Sequence, residues 1–117
     1  MILTAFLDAV YTEFIEKAES IPFMEKALKF AKEHRSIGIG ALGYHSYLQK
    51  NRIPFESIQA RSINRQMFDY IEWKSIEMSW ELAEEFGKTK HAGGKRHSTL
   101  QAVATTILSS FIFGQES

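Results

Sequence analysis

The sequence predicts a single domain, residues 1–117, of the mainly all-α class: a helical bundle of about five helices with one long central helix. Apolar residues recur at helical spacing along most of the chain, and glycine, proline and serine interrupt the pattern. The longest pattern covers residues 58–86 and predicts the central helix. A hydrophobic share of 44% in 117 residues is enough for one core. An α/β alternative, with two short parallel strands at 36–41 and 99–104, stays open.

Two helices are predicted before the first glycine. Residues 3–19 place Phe6, Val10 and Phe14 on a heavy apolar face, and Asp8 lies with the charged residues, mostly on the other face. Pro22 breaks this helix and starts the next one, because proline is tolerated only in the first turn of a helix. The second helix therefore covers about 22–34.

A glycine-rich stretch, residues 35–49, joins these helices to the rest of the chain. Its first half alternates apolar residues with Gly38 and Gly40, which suits a buried strand or a close approach of another backbone. From Ala41 onward the apolar residues fall at helical spacing. The stretch predicts a strand or turn that leads into a third helix ending at about Lys50.

The central helix is predicted at 58–86, with Ser57 as its cap and Gly87 at its end. Its apolar residues form two neighbouring stripes, so we expect burial on more than one side. The first stripe includes Ile63, Met67, Tyr70, Ile71, Met78, Leu82 and Phe86, and the second includes Trp73, Ile76, Trp80 and Ala83. A basic, glycine-containing loop at 87–97 follows, and helical spacing then predicts a last helix from about 98 to 113.

Composition excludes several classes of function. Fourteen basic and fourteen acidic residues cancel, so no global charge favours DNA or an anionic membrane. With zero cysteines, the chain offers no disulfide, thiolate metal site or thiol nucleophile. Histidine and carboxylate spacing predicts no metal site, and we expect no cofactor and no catalytic residue. The absence of an apolar run of membrane-spanning length favours a cytoplasmic protein.

Several blocks resemble the large, catalytic subunit of ribonucleotide reductase. They are "FLDAVYTEFIEKA", "HRSIGIGALGYHSYLQ", "IPFES", "SWELAEEFG" and "RHSTLQAVA", in the order and spacing that the family has. The resemblance covers most of the chain and implies common origin with the C-terminal half of the family's barrel, as a phage- or virus-like fragment. It also implies that the glycine-rich block forms a barrel strand and the helix after it.

The resemblance limits the activity that this chain can have alone. The family generates a thiyl radical on a barrel cysteine and uses further redox cysteines, and this sequence contains none. We therefore expect no reductase activity from the chain by itself. Three hypotheses follow: a non-catalytic relative, one piece of a split reductase that needs other reductase chains, and a small nucleotide- or phosphate-binding module.

A phosphate site is predicted in the basic loop, although a solvated connector is the simpler interpretation. The loop offers cations and flexible main-chain N–H groups before the predicted last helix, whose N-terminus favours anions. The resemblance implies that threonines near the family's phosphate-binding turn would contribute. In this sequence a threonine stands where that turn has proline, which is why a continuous helix is expected. The candidate residues are Lys95, Arg96, Ser98, Thr99, Thr105 and Thr106.

The apolar faces also predict self-association. Three to five helices from 117 residues cannot hide a first helix that is apolar over nearly half its circumference and a central helix with two stripes. We expect a homo-oligomer, most simply a dimer, with Trp80 or Phe111 at the centre of its interface.

Overall fold

The computed structural model describes residues 1–115 and contains five helices. They are α1 (Ile2–Ala18), α2 (Glu25–His34), α3 (Tyr44–Lys50), α4 (Ile58–Phe86) and α5 (Ile107–Phe113). The mainly all-α prediction is confirmed. Within the described residues, no helix is both long and apolar enough to cross a membrane.

The central helix has the predicted bounds because both of its ends carry clear signals. The Ser57 side chain accepts a hydrogen bond from the main-chain N–H of Ala60, which is the expected cap. Gly87 follows the helix with a φ of 104°, a conformation that other residues rarely adopt. α2 begins later than predicted, at Glu25, because Phe23 has a φ of 67° that no right-handed helix allows.

The last helix is shorter than predicted, and the expectation of one helix from 98 to 113 is wrong. Residues 99–102 instead run beside the glycine-rich stretch: the N–H of Ile37 donates to Thr99 O at 3.1 Å and that of Ile39 to Leu100 O at 2.9 Å. Among residues 1–115, the only isolated β-bridge is the parallel pair Ile39–Gln101. The parallel-strand alternative therefore describes this region better, although only one bridge forms.

Glycine makes this pairing possible. A Cβ added to Gly38 would lie 2.7 Å from the Cβ of Ala102, and one added to Gly40 would lie 2.8 Å from the Ala102 carbonyl oxygen. These separations are too short for a Cβ atom, so positions 38 and 40 must be glycine for the two segments to approach this closely. The paired residues Ile37, Ile39 and Leu100 form the core, and apolar side chains of α1 and α4 pack against it.

Two expectations about buried faces need correction. On α1 the buried residues are Thr4, Asp8 and Ala18, whereas Phe6 is 62% exposed. Asp8 turns inward because its partners lie on that side, as described below. On α4 the second stripe is not covered within this chain, since Trp73 is 59% and Trp80 45% exposed.

Candidate functional site

The most highly organised polar site of the chain surrounds the carboxylate of Asp8. We call Asp8, Arg35, Ser79, Arg96 and His97 the Asp8 cluster; it joins α1, the end of α2, α4 and the 96–97 segment. Asp8 Oδ1 accepts hydrogen bonds from Arg35 Nε at 3.0 Å, Arg96 Nε at 2.8 Å and His97 Nε2 at 2.9 Å. Asp8 is 4% exposed and His97 fully buried, so this carboxylate depends on protein donors rather than on water.

Local structure places each member of the Asp8 cluster. Arg35 follows α2 with a φ of 42°, and this left-handed conformation ends the helix. Its guanidinium also donates to Asp8 O at 2.8 Å and to Thr12 Oγ1 at 2.6 Å. Arg96 NH1 donates to Gly87 O at 3.0 Å, which connects the cluster to the end of α4. Both guanidinium groups are therefore held in place by main-chain oxygens as well as by the carboxylate.

The charges of the cluster keep Asp8 ionised. Burial alone would raise the pKa of Asp8, but hydrogen bonds from His97 and Arg96 and the positive charges of Arg35 and Arg96 outweigh it. The pKa of Asp8 falls from 3.8 to about 2. Burial lowers the pKa of Arg35, and the charge of Asp8 opposes that effect. The cluster is thus an ionic centre with two guanidinium groups on one carboxylate.

Ser79, His97 and Asp8 form a chain of hydrogen bonds that resembles a catalytic triad in composition only. Ser79 Oγ lies 2.8 Å from His97 Nδ1 and also accepts from the main-chain N–H of His97 at 3.2 Å. The carboxylate contacts Nε2 and the serine Nδ1, the reverse of the attachment in serine proteases. Ser79 and His97 are both 0% exposed, so no substrate can reach the hydroxyl. The geometry therefore indicates a structural role, in which these hydrogen bonds join α4, His97 and α1.

The residues predicted to bind phosphate lie in different environments. Arg96 is engaged by both oxygens of Asp8. Thr99 Oγ1 pairs with Ser36 Oγ and donates to Ile37 O at 3.3 Å. Lys95 and Ser98 border one small cavity of about 160 Å³ together with Glu72 of α4. Because the last helix begins at Ile107, none of these residues lies at a helix N-terminus.

The two predicted threonines lie elsewhere. Thr106 precedes α5 and borders a groove of about 410 Å³ between residues 40–42 and 102–106. Thr105 is exposed. The structure therefore brings Lys95 and Ser98 together and places Thr106 at a separate groove. Anion binding at these residues stays a prediction.

Sequence reasoning missed the Asp8 cluster, and it missed one group of metal-ligand type. Asp8 and His97 are 89 positions apart, and no local spacing connects them. The one available signal was a carboxylate directly beside the broad apolar face of the first helix. Within residues 1–115, Glu33, His34 and His91 form one group whose ligand atoms lie within 4.8 Å of one another.

Comparisons with known proteins agree on one family. The sequence model of the protein family described as ribonucleotide reductase, barrel domain, matches residues 2–112. The large subunit of ribonucleoside-diphosphate reductase from Invertebrate iridescent virus 3 is 37% identical, over 98% of this chain and 18% of its own length. The corresponding subunit from Invertebrate iridescent virus 6 is 41% identical, over 95% of this chain and 12% of its own length.

A solved structure shares the backbone as well. The class Id ribonucleotide reductase alpha subunit from Actinobacillus ureae matches with a TM-score of 0.91 and 46% identity. The match covers 97% of this chain and 22% of that subunit, so the chain spans less than a quarter of the length of these relatives. The predicted resemblance is confirmed, and the chain belongs to the ribonucleotide reductase large-subunit family, as a segment of its barrel domain.

Proposed function

We propose that this chain is one segment of a ribonucleotide reductase large subunit and contributes to activity only when other polypeptide supplies the rest of the barrel and the cysteines. The proposal rests on a retained family backbone with a TM-score of 0.91 and on uncovered surface. The relatives are large subunits of ribonucleoside-diphosphate reductases. We therefore propose that the activity to which this chain contributes is the reduction of ribonucleoside diphosphates.

The observation that carries the proposal is the excess of exposed surface. The chain exposes 8555 Å², whereas a compact monomer of this mass exposes about 6,500 Å². Its radius of gyration is 17.1 Å, against about 13 Å for a compact domain of 117 residues. Much of this surface is apolar: Phe6, Trp73 and Phe111 are 62%, 59% and 78% exposed. The chain therefore folds with faces that need covering.

The size of the excess favours a large surrounding structure. A standard protein interface covers about 800 Å² on each partner, less than half of an excess of about 2,000 Å². The uncovered apolar residues are spread over all five helices and the segments between them, so several contacts are needed rather than one. The single bridge Ile39–Gln101 also leaves the paired segments short of strand neighbours within the described residues. The rest of a barrel would supply both: apolar surfaces to cover the helices and strands to pair with these segments.

The residue chemistry also indicates that other polypeptide carries out the reaction and that this chain has a structural role. The chain has no cysteine, so any thiol-dependent step must use groups from elsewhere. The Asp8 cluster is buried and ties elements together, which suits a scaffold. We infer that the contribution of this segment is structural: it holds one part of the barrel in place.

Complementation tests the proposal directly. A large subunit from Invertebrate iridescent virus 3 that lacks its matching segment is mixed with this chain, and deoxynucleotide formation is measured with the other chains of that viral reductase present. We expect no product from either part alone and product from the mixture. The same mixture is also made with Trp73→Asp, which replaces an exposed apolar side chain with a charge. This variant should give less product, because the charge disfavours burial of that face. Product from the chain alone, or a mixture in which the parts do not associate, contradicts the proposal.

Self-association is the second candidate, supported by the same exposed aromatic residues. In this case the chain forms a non-catalytic homo-oligomer, most simply a dimer, with Trp80 or Phe111 as the anchor. Sedimentation equilibrium at micromolar concentration separates the candidates. A stable dimer that does not exchange with the truncated viral subunit favours this function, whereas a 13.4 kDa species that joins that subunit favours the first.

A further inference from the structure

A group of three ligand-type side chains lies on the surface, outside the Asp8 cluster. Glu33 and His34 end α2, and His91 comes from the loop after α4. Each offers one ligand atom, and these atoms lie within 4.8 Å of one another. We propose that Glu33, His34 and His91 form a binding site for a divalent transition-metal ion of the Zn²⁺ class.

The donor set determines the class of metal. Two imidazole nitrogens and one carboxylate oxygen suit Zn²⁺ and similar ions, and three protein ligands leave a fourth position for water. Mg²⁺ and Ca²⁺ prefer sites made of oxygen ligands and are poorly served by imidazole. The donor types therefore favour an ion of the Zn²⁺ class over Mg²⁺ and Ca²⁺.

Main-chain hydrogen bonds bring the ligands together before any metal arrives. The N–H of His91 donates to Glu33 O at 3.2 Å, and the N–H of Ser98 donates to His34 O at 2.9 Å. These bonds join the end of α2 to the loop at two positions. The ligands therefore come from segments far apart in sequence, yet their backbones are already fixed relative to one another.

Binding one ion requires the two imidazole rings to turn relative to each other. The His34 ring stacks between two others, Phe30 at a centroid distance of 4.5 Å and His91 at 4.6 Å. Because zinc bonds are about 2.0–2.2 Å long, two ligands of one ion lie at most about 4.4 Å apart. Two stacked imidazoles cannot both point an in-plane lone pair at one ion, so the His91 ring must rotate out of the stack. Closing the group also needs side-chain shifts on the order of 1 Å. The side chains of His91 and Glu33 are 45% and 27% exposed and have room to make them.

One neighbouring cation competes for the carboxylate. Lys90 Nζ lies 3.4 Å from Glu33 Oε1, in a position to neutralise the carboxylate when no metal is bound. A metal ion must displace this contact and tolerate the lysine charge. Removing the Lys90 charge should therefore strengthen metal binding, an effect that a purely structural ion pair would not produce.

Metal binding at this group would act on the Asp8 cluster. His91 and the loop precede Arg96 and His97, whose side chains bind Asp8. An ion that clamps the loop to α2 holds these residues in their folded positions. Because the ion binds only the folded arrangement, it raises the thermal stability of the whole chain.

The test uses the full chain without any affinity tag. Zn²⁺ affinity is measured by competition with a chromogenic chelator, and Co²⁺ replaces Zn²⁺ for visible spectroscopy. We expect one ion per chain and the intense absorption of four- or five-coordinate Co²⁺. His91→Gln and Glu33→Gln should each weaken binding by at least about tenfold, the loss seen even for outer-sphere partners. Lys90→Gln should strengthen it by about twofold to fivefold, the scale of one exposed ion pair.

His45→Gln is the matched control, because it removes a histidine beside Phe55 and away from this group. Its Zn²⁺ affinity and its rise in melting temperature on adding Zn²⁺ should equal those of the unmodified chain. Circular dichroism checks that each variant folds, and we expect intact folds because the side chains of His91 and Glu33 are partly exposed. Equal Zn²⁺ affinity in the His91→Gln and His45→Gln variants would overturn the proposal, as would the absence of zinc binding in the unmodified chain.

Discussion

The Asp8 cluster and the outer faces of α1 and α4 differ in where their partners come from. Every charged member of the Asp8 cluster meets its partner within residues 1–115, at distances of 2.8–3.0 Å around Asp8. The apolar side chains of the outer faces meet solvent instead, with Trp73 59% exposed. The comparison shows that the ionic interactions of the Asp8 cluster are complete within the described residues, whereas the apolar interactions of the outer faces are not.

This difference has a physical reason. A buried charge must find its partners in the same folding unit, because leaving it unpaired costs several kcal/mol. An apolar face can stay exposed until a partner binds, because the free-energy cost of exposure is small for each unit of area. The segment can therefore fold around Asp8 and still depend on other polypeptide for cover. Changes at Asp8, Ser79 and Trp73 test this difference, and the largest effect on stability is expected at Asp8.

Replacing Asp8 with alanine should have the largest effect. The change leaves Arg35 and Arg96 without a counter-charge, so we expect the free energy of unfolding to fall by about 3–5 kcal/mol. Chemical denaturation followed by circular dichroism measures it. The control is Glu16→Ala, at an exposed position of α1, which should change stability by less than about 0.5 kcal/mol. Equal stability of the two variants would contradict the role of the cluster.

Acid should weaken the same region. The pKa of Asp8 is about 2 in the folded chain and 3.8 without its partners, so the unfolded state binds the proton more readily. Stability from this group, about 2 kcal/mol, is therefore fully present above about pH 4 and is lost as pH falls through 2. Denaturation midpoints measured across this range should fall, and Asp8→Asn should remove this part of the pH dependence. An Asp8→Asn variant with the same acid profile would contradict the assignment.

Ser79→Ala should have a smaller effect. It removes the partner of His97 Nδ1 and of the main-chain N–H of His97, both buried. An unsatisfied buried group of this kind costs about 1–2 kcal/mol, the lower part of its usual range. Ser62→Ala, at an exposed position of the same helix, serves as the control in thermal denaturation. Indistinguishable melting temperatures would show that the hydrogen bonds of Ser79 contribute nothing.

Trp73→Gln should barely change the stability of the chain alone, by less than about 0.5 kcal/mol, because the ring is exposed. The same change should weaken association with the truncated viral subunit by about 2 kcal/mol or more, the scale of a buried tryptophan at an interface. Titration calorimetry of that association measures the second value. A large loss of stability with unchanged association would reverse the comparison between the two regions.

Lys95→Gln tests the anion-binding prediction without disturbing the Asp8 cluster, since Arg96 is retained. If the prediction is right, affinity for inorganic phosphate falls by about twofold to fivefold, the scale of one exposed charge pair. Lys88→Gln, in the same loop, is the control and should leave that affinity unchanged. Equal phosphate affinity in the two variants would remove Lys95 from the site.

The sequence predicted the elements whose causes are local. The bounds of α4 follow from Ser57 and Gly87, which act on their own helix, and the apolar spacing between them needs no distant partner. The prediction of a helix over 98–113 was wrong because the residues that determine this region's conformation lie far away in the sequence. Residues 99–102 leave helical spacing to pair with residues 37–39, and the contact of Gly38 with Ala102 that permits this is not visible in either segment alone.

The candidate site was harder to predict for the same reason. Asp8 seemed to belong to the charged face of the first helix, and only Arg35, Arg96 and His97 together explain why it turns inward. Those residues lie 27 to 89 positions from it. The sequence assigned Arg96 to a phosphate site because of its basic neighbours, whereas in the structure Arg96 donates to the Asp8 carboxylate of the same chain.

The long separation between Asp8 and its partners also determines the order in which the chain can fold. Arg96 and His97 lie 88 and 89 residues from Asp8, so the loop that they close contains three-quarters of the chain. Closing a loop of this length costs entropy before its contacts form, and contacts of this kind slow folding. During synthesis Asp8 can pair with Arg35 early, but its contacts with Arg96 and His97 must wait until residue 97 has left the ribosome. Two of the contacts that hold the first helix in place are therefore among the last that the growing chain can make.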